Sequence, residues 1–110
     1  MLEEFLREAG LLSVGETPDF AALLEPLSDW VDAQHVPEAL RFYLAARLAA
    51  FICEYLIELG AGERVIEDGR ILMRTPIRGL VQREFDPFAV AVSMATNRHS
   101  LKIFLHGVCS

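Results

Sequence analysis

Residues 39–59 constrain this chain more than any other segment. They form its most hydrophobic stretch, yet they include Arg41, Arg47, Glu54 and Glu58. A central charge costs about 2.5–3.5 kcal/mol on membrane-insertion scales, so this is a poor membrane span. On a helical wheel Arg47, Glu54 and Glu58 fall within about 40° of one another, and apolar residues cover most of the remaining girth. Such a helix has to be wrapped by other parts of the same chain. Pro37 suits its start and Gly60 its stop. The pattern therefore predicts a long central helix that organises the fold.

The wrapping must come from a chain of 110 residues, which is one domain, 1–110, and not two. Leu2, Phe5, Leu6 and Ala9 recur at helical spacing before Gly10. Thr17-Pro18 reads as the start of a second helix, whose apolar face is Phe20, Leu23, Leu24, Leu27, Trp30 and Val31. Pro26 inside that pattern predicts a kink or two short helices. After the central helix, Asp68-Gly69 is a strong two-residue turn between apolar runs and predicts a hairpin. Its register sets Glu67 opposite Arg70, Ile66 opposite Ile71, Val65 opposite Leu72, Arg64 opposite Met73 and Glu63 opposite Arg74. The face carrying Ile66, Ile71 and Met73 is expected to lie on the long helix. A third strand is expected over 77–83, with Gly79 as a bulge. Asp86-Pro87 opens another helix, through Met94. Leu101, Phe104, Leu105 and Val108 fit a helix behind a Ser100 cap, while Leu101, Ile103 and Leu105 fit a strand; both stay open, with helix preferred. The fold class is α+β: N-terminal helices including the long one, then a β-hairpin or three-stranded meander, then one or two short helices.

Net charge is −6 and the isoelectric point about 4.9. Nucleic-acid binders need a basic face, so that partner class is not expected. The charge is uneven: residues 1–38 hold nine acids and one base, Arg7. With 53% apolar residues the chain has more hydrophobic side chains than a domain this small can enclose, which points to a partner. Cys53 sits in an apolar run and reads as a small buried hydrophobe, and Cys109 is penultimate; two cysteines make no disulfide framework. The first twelve residues have acids where a secretory signal has bases. A cytoplasmic location is the expectation.

Few side chains suggest chemistry. Arg70, Arg74 and Arg78 form a basic stripe, but Glu67 and Glu63 stand across from the first two, leaving Arg78 and Arg83 without an evident partner. Glu54 lies among Phe51, Ile52, Tyr55 and Leu56, where a carboxylate can serve as an acid or base; its neighbour one turn on is Glu58. Pairing with a hairpin arginine is the expected arrangement, so Glu54 and Arg78 are the candidate polar site. His99, His106 and Cys109 match no metal-ligand spacing, and His35 reads as a loop residue. No catalytic triad, phosphate loop or dinucleotide fingerprint occurs, and no metal or cofactor is expected.

Four pieces of sequence stand together: Ala50-Phe51-Ile52-Cys53-Glu54, Gly60-Ala61-Gly62-Glu63-Arg64-Val65, Glu67-Asp68-Gly69-Arg70 and Asp86-Pro87-Phe88. In that order they resemble a pattern of small uncharacterised bacterial domains: a long helix, a glycine stop, a hairpin and an Asp-Pro-Phe helix start. The resemblance spans residues 43–88. Arg64 stands where the pattern has an aromatic, and Cys53 where it has a small residue. It implies an architecture and a bacterial origin but no activity; a single lysine, Lys102, among ten basic residues fits a GC-rich genome.

The leading expectation is a non-enzymatic protein-interaction module, of the physical character of a secretion chaperone or a toxin-blocking immunity protein. One alternative is a small enzyme or enzyme subunit built on Glu54 and a hairpin arginine. Another is a small-molecule sensor with an apolar pocket between helices and hairpin. The partner is expected to be a second copy, in a homodimer, or another protein, with no membrane involved. The candidate contact surfaces are the face of Phe20, Leu23 and Trp30, or the last segment through Phe104.

Overall fold

The computed structural model describes residues 2–34, 36–76, 82–96 and 100–109. Helix α1 (Leu2–Glu8) and helix α2 (Phe20–Asp32) come first, followed by a 3₁₀ turn (Glu38–Leu40) that runs into α3 (Arg41–Glu58). Strands β1 (Glu63–Glu67), β2 (Arg70–Pro76) and β3 (Gln82–Phe85) form an antiparallel sheet in that order. Helices α4 (Pro87–Ala95) and α5 (Leu101–Cys109) close the chain. The α+β class is as the sequence predicts. No helix among the described residues is long and apolar enough to cross a membrane.

The central helix is the organiser that its composition demands. Helices α1, α2 and α4 and strand β1 all pack against α3. Leu48, Phe51, Ile52 and Leu56 are completely enclosed on it, and Leu6, Leu27, Met73 and Met94 come from the surrounding elements to meet them. The wrapping is incomplete toward both ends. Leu40, Phe42 and Tyr43 are 53%, 65% and 50% exposed although Leu44 and Ala45 in the same turns are buried, and Ile57 and Leu59 are exposed at the other end.

Helix α2 begins two residues later than Thr17-Pro18 suggests. Asp19 is the N-cap, its carboxylate accepting the Ala22 amide at 3.2 Å, and aspartate caps more strongly than threonine. The Phe20 amide is taken by Glu58 Oε2 of α3 at 3.0 Å, a long-range contact that fixes the same boundary. Pro26 does not divide the helix, which runs unbroken to Asp32. The ring removes the amide that would reach the Ala22 carbonyl, but both residues are exposed, so water can take that carbonyl.

The hairpin register is the predicted one at all five pairs. Asp68 and Gly69 have φ of 51° and 75°, the left-handed pair of a type I′ turn. The packing of its faces differs from expectation. Met73 is buried, whereas Ile66 and Ile71 are 77% and 52% exposed. Only the root of the hairpin lies on the helices, and its tip overhangs. The ion pairs differ too: Arg70 bonds Asp86 Oδ2 at 2.8 Å, and Arg74 bonds Glu84 Oε1 at 2.7 Å with Glu63 only at 3.7 Å. The third strand sits further along than 77–83. It pairs Gln82 with Pro76 and Phe85 with Met73; residues 77–81, and with them the Gly79 bulge, lie outside the described residues. Phe85 fixes this placement by packing edge-on against Phe104 at 5.4 Å.

Asp86 caps α4 as predicted, accepting from Phe88 and Ala89 at 2.9 and 3.3 Å. The last segment is helical, with a cap from an unexpected source. The enclosed hydroxyl of Ser28, on α2, accepts the Lys102 amide at 3.2 Å, while the Ser100 hydroxyl turns to Ser28 Oγ at 3.4 Å.

Candidate functional site

Glu54 lies at the seam between α3 and the hairpin. Its Oε1 accepts from Arg64 Nη2 at 2.5 Å, with the two side chains 38% and 47% exposed. The hairpin arginine it meets is thus Arg64; Arg78 lies outside the described residues. Beside it Cys53 is buried. Burial pushes the Cys53 thiol up from its ordinary pKa, against the opposing pull of the Arg64 guanidinium. That is an inert thiol rather than a nucleophile.

Glu54 also edges a cleft of about 740 Å³ lined by Glu3, Arg7, Thr17, Phe20 and Glu58. An acid–base pair needs side chains free to exchange protons with a substrate. Here the carboxylates are engaged in holding the fold: Glu54 on Arg64, Glu58 on the first amide of α2, and Glu3 on Arg7 at 3.4 Å. Among the described residues no group of three or more His, Cys, Asp or Glu side chains could hold a metal ion. His106 is exposed on α5, and His35 and His99 lie outside the described residues.

The apolar candidates divide. Leu23 is buried. Phe20 and Trp30 are half-buried, Phe20 edge-on to Phe51 at 5.8 Å and Trp30 edge-on to Phe5 at 5.5 Å. Phe104 is half-buried against Phe85. All four spend much of their area inside the molecule.

Two large exposed aromatics meet elsewhere. Phe42 of α3 and Phe88 of α4 stack with ring centroids 6.2 Å apart and planes 14° apart, yet remain 65% and 40% exposed. Next to them runs a groove of about 590 Å³. Ala46, Ala49, Ala50 and Cys53 of α3 line it from one side, and Arg64, Gly69, Arg70 and Ile71 of the overhanging hairpin from the other. The Arg70–Asp86 ion pair ties the hairpin tip to the start of α4 across this groove. Asp86, held by Arg70 and by the Phe88 and Ala89 amides, stays ionised below the usual carboxylate range. On the neighbouring face Tyr43 lies under the Arg47 guanidinium, 4.6 Å from its ring centroid.

No family model, curated protein or solved structure matches this chain. The site therefore rests on its own geometry. Sequence reasoning did not single out Phe42, and took Phe88 only as part of the Asp-Pro-Phe helix start. A signal was present: Phe42, Ala46, Ala49, Ala50 and Cys53 share a helical face on which every residue after the phenylalanine is small, which opens a channel beside a large ring.

Proposed function

We propose that this protein is a non-enzymatic interaction module that grips another protein through the face made by Phe42, Phe88 and the alanine-floored groove. The observation that carries this reading is the stacked but exposed ring pair. Fully covering a large apolar side chain contributes about 1.5–3 kcal/mol, and this chain forgoes part of that at both positions, which stay 65% and 40% exposed. Rigid aromatic rings beside a pocket, rimmed by engaged charges, are the arrangement of an interface hot spot. The groove takes a bulky apolar anchor from the partner, and Arg70–Asp86 holds its far wall in place beforehand. The enzyme reading is weaker, because the carboxylates of the Glu54 cleft are committed to structural bonds. Buried Cys53 suits a reducing compartment, so the partner is sought in the cytoplasm.

Affinity capture from native cell extract, run in parallel with Phe42→Glu and Phe88→Glu, tests the reading. Partners retained by the parent should be lost from both variants, while far-ultraviolet circular dichroism shows all three folded. A partner retained equally by all three would refute it. The groove also supports a second reading, a sensor for an apolar small molecule, since its volume lies within the usual range of ligand pockets, about 300–1,000 Å³. A compound that raises the melting temperature of the parent but not of Ala49→Phe would favour that reading.

A further inference from the structure

Strand β1 ends the sheet, and among the described residues nothing pairs with its outer edge. In a two-residue hairpin the residues flanking the turn form a hydrogen-bonded pair, so Glu67 and Val65 spend their backbone groups on β2. The amides and carbonyls of Arg64 and Ile66 then point outward along the free edge. Among the described residues Ile66 is also the most exposed large apolar side chain of the sheet, at 77%. An edge with free backbone groups and an apolar residue between charges is a template for another strand.

We propose that a second copy of this chain occupies that edge, pairing β1 with β1 antiparallel about a two-fold axis at Ile66. The choice of occupant and of register comes from charge. A two-fold perpendicular to the sheet must bring some residue opposite itself, and three registers keep the strands overlapped. Centring on Val65 sets Glu63 against Glu67 of the second copy, twice, and like charges directly opposite are destabilising. Centring on Arg64 sets the two guanidinium groups face to face. Centring on Ile66 joins the two exposed isoleucines, places Val65 opposite Glu67 and brings Arg64 beside the turn residue Asp68 at both ends. Glu54 engages Nη2 of Arg64 and leaves other donors of the fork for that aspartate. The backbone parity agrees, because the outward groups of Ile66 face each other as a hydrogen-bonded pair. This contact is separate from the Phe42–Phe88 face, so it stands or falls independently of the partner reading. A perpendicular two-fold also turns the helix-bearing faces of both sheets to the same side, which presents two Phe42–Phe88 grooves in parallel.

Engineered thiols read the register directly. Across the axis a hydrogen-bonded pair has a Cα separation of about 5.5 Å, within disulfide range, whereas two copies of Val65 stand roughly 8 Å apart in this register, beyond it. With Cys109→Ser as background, Ile66→Cys should cross-link to a dimer on mild oxidation under native conditions, and Val65→Cys should stay monomeric. The Cys109→Ser parent in sedimentation equilibrium should show a mass rising from 12.3 kDa toward twice that value on concentration. Ile66→Glu should hold the mass at the monomer with an unchanged circular dichroism spectrum. A parent that remains monomeric at hundreds of micromolar, a dimer undisturbed by Ile66→Glu, or cross-linking at Val65→Cys in place of Ile66→Cys would each overturn the proposal.

Discussion

Replacing Asp86 by alanine takes two tasks from one carboxylate. Its Oδ1 accepts the Phe88 and Ala89 amides at the start of α4, and its Oδ2 holds Arg70 of the hairpin tip. Loss of an N-cap costs about 1 kcal/mol, within a range of about 0.5–2. The ion pair, with side chains 67% and 25% exposed, adds about 0–1 kcal/mol. Asp86→Ala should therefore lose about 1–2 kcal/mol, which for a domain of this size lowers the melting temperature by about 5–10 °C. Asp86→Asn separates the tasks, because asparagine caps as well as aspartate but carries no charge. It should lose under about 1 kcal/mol at pH 7. Since the folded state holds Asp86 below its ordinary pKa, its charge stabilises the fold above the unfolded value, near pH 3.9, and that contribution disappears as pH falls through the folded value. The gap between parent and Asp86→Asn should thus be steady from pH 7 to 5 and close below about pH 4. Circular dichroism melts of the three proteins across that range make the measurement. The reasoning fails if Asp86→Ala melts within a degree of the parent at neutral pH, or if acid widens the gap.

Three further substitutions probe the rest of the architecture. Gly69→Val forces a branched side chain into a left-handed backbone at φ 75° and should cost at least about 1–2 kcal/mol in chemical denaturation, although nothing stands near the added Cβ. Gly62→Ala has an ordinary backbone but would bring its Cβ to 3.1 Å from Met73 Cε and 3.2 Å from Leu56 Cβ, so overpacking should cost about 1–3 kcal/mol by the same assay. Glu54→Gln removes a half-exposed pair with Arg64 and should change stability by no more than about 1 kcal/mol; a larger loss would mean that Glu54 carries more of the seam than its exposure allows.

What the sequence disclosed was local. Asp68-Gly69 dictates a turn whose geometry propagates through five cross-strand pairs, and Asp86-Pro87 carries its own cap and its own preset φ. The hydrophobic pattern of 39–59 names the central helix because burial on most sides leaves only one composition open to it. Pro26 apart, the misread features depend on a residue distant in the chain. Thr17 loses the start of α2 to Asp19 partly because Glu58 reaches that end of the helix. Arg70 faces Glu67 across the hairpin but bonds Asp86 at the start of α4. Phe42 stays exposed while Leu44 and Ala45 in the same turn are buried, and the elements packed around α3 decide which face of this turn is covered. Arg64 as the partner of Glu54 was within reach of the register, which puts it opposite buried Met73 and so on the face turned toward α3.

The two serines between α2 and α5 reach beyond local geometry. The first turn of α5 hydrogen-bonds to an oxygen that belongs to a helix more than seventy residues earlier. A nascent chain therefore carries half of this clasp well before it receives the other half, which comes only when residues 100–102 emerge. Until then the Ser28 hydroxyl is left to water, and Leu101 and Leu105 have yet to close the apolar wall over it. Helix α5 is thus positioned by a residue of α2. In hydrogen exchange, the amides of α5 and the middle of α2 should consequently open together as one cooperative unit, with the intervening hairpin exchanging on its own schedule.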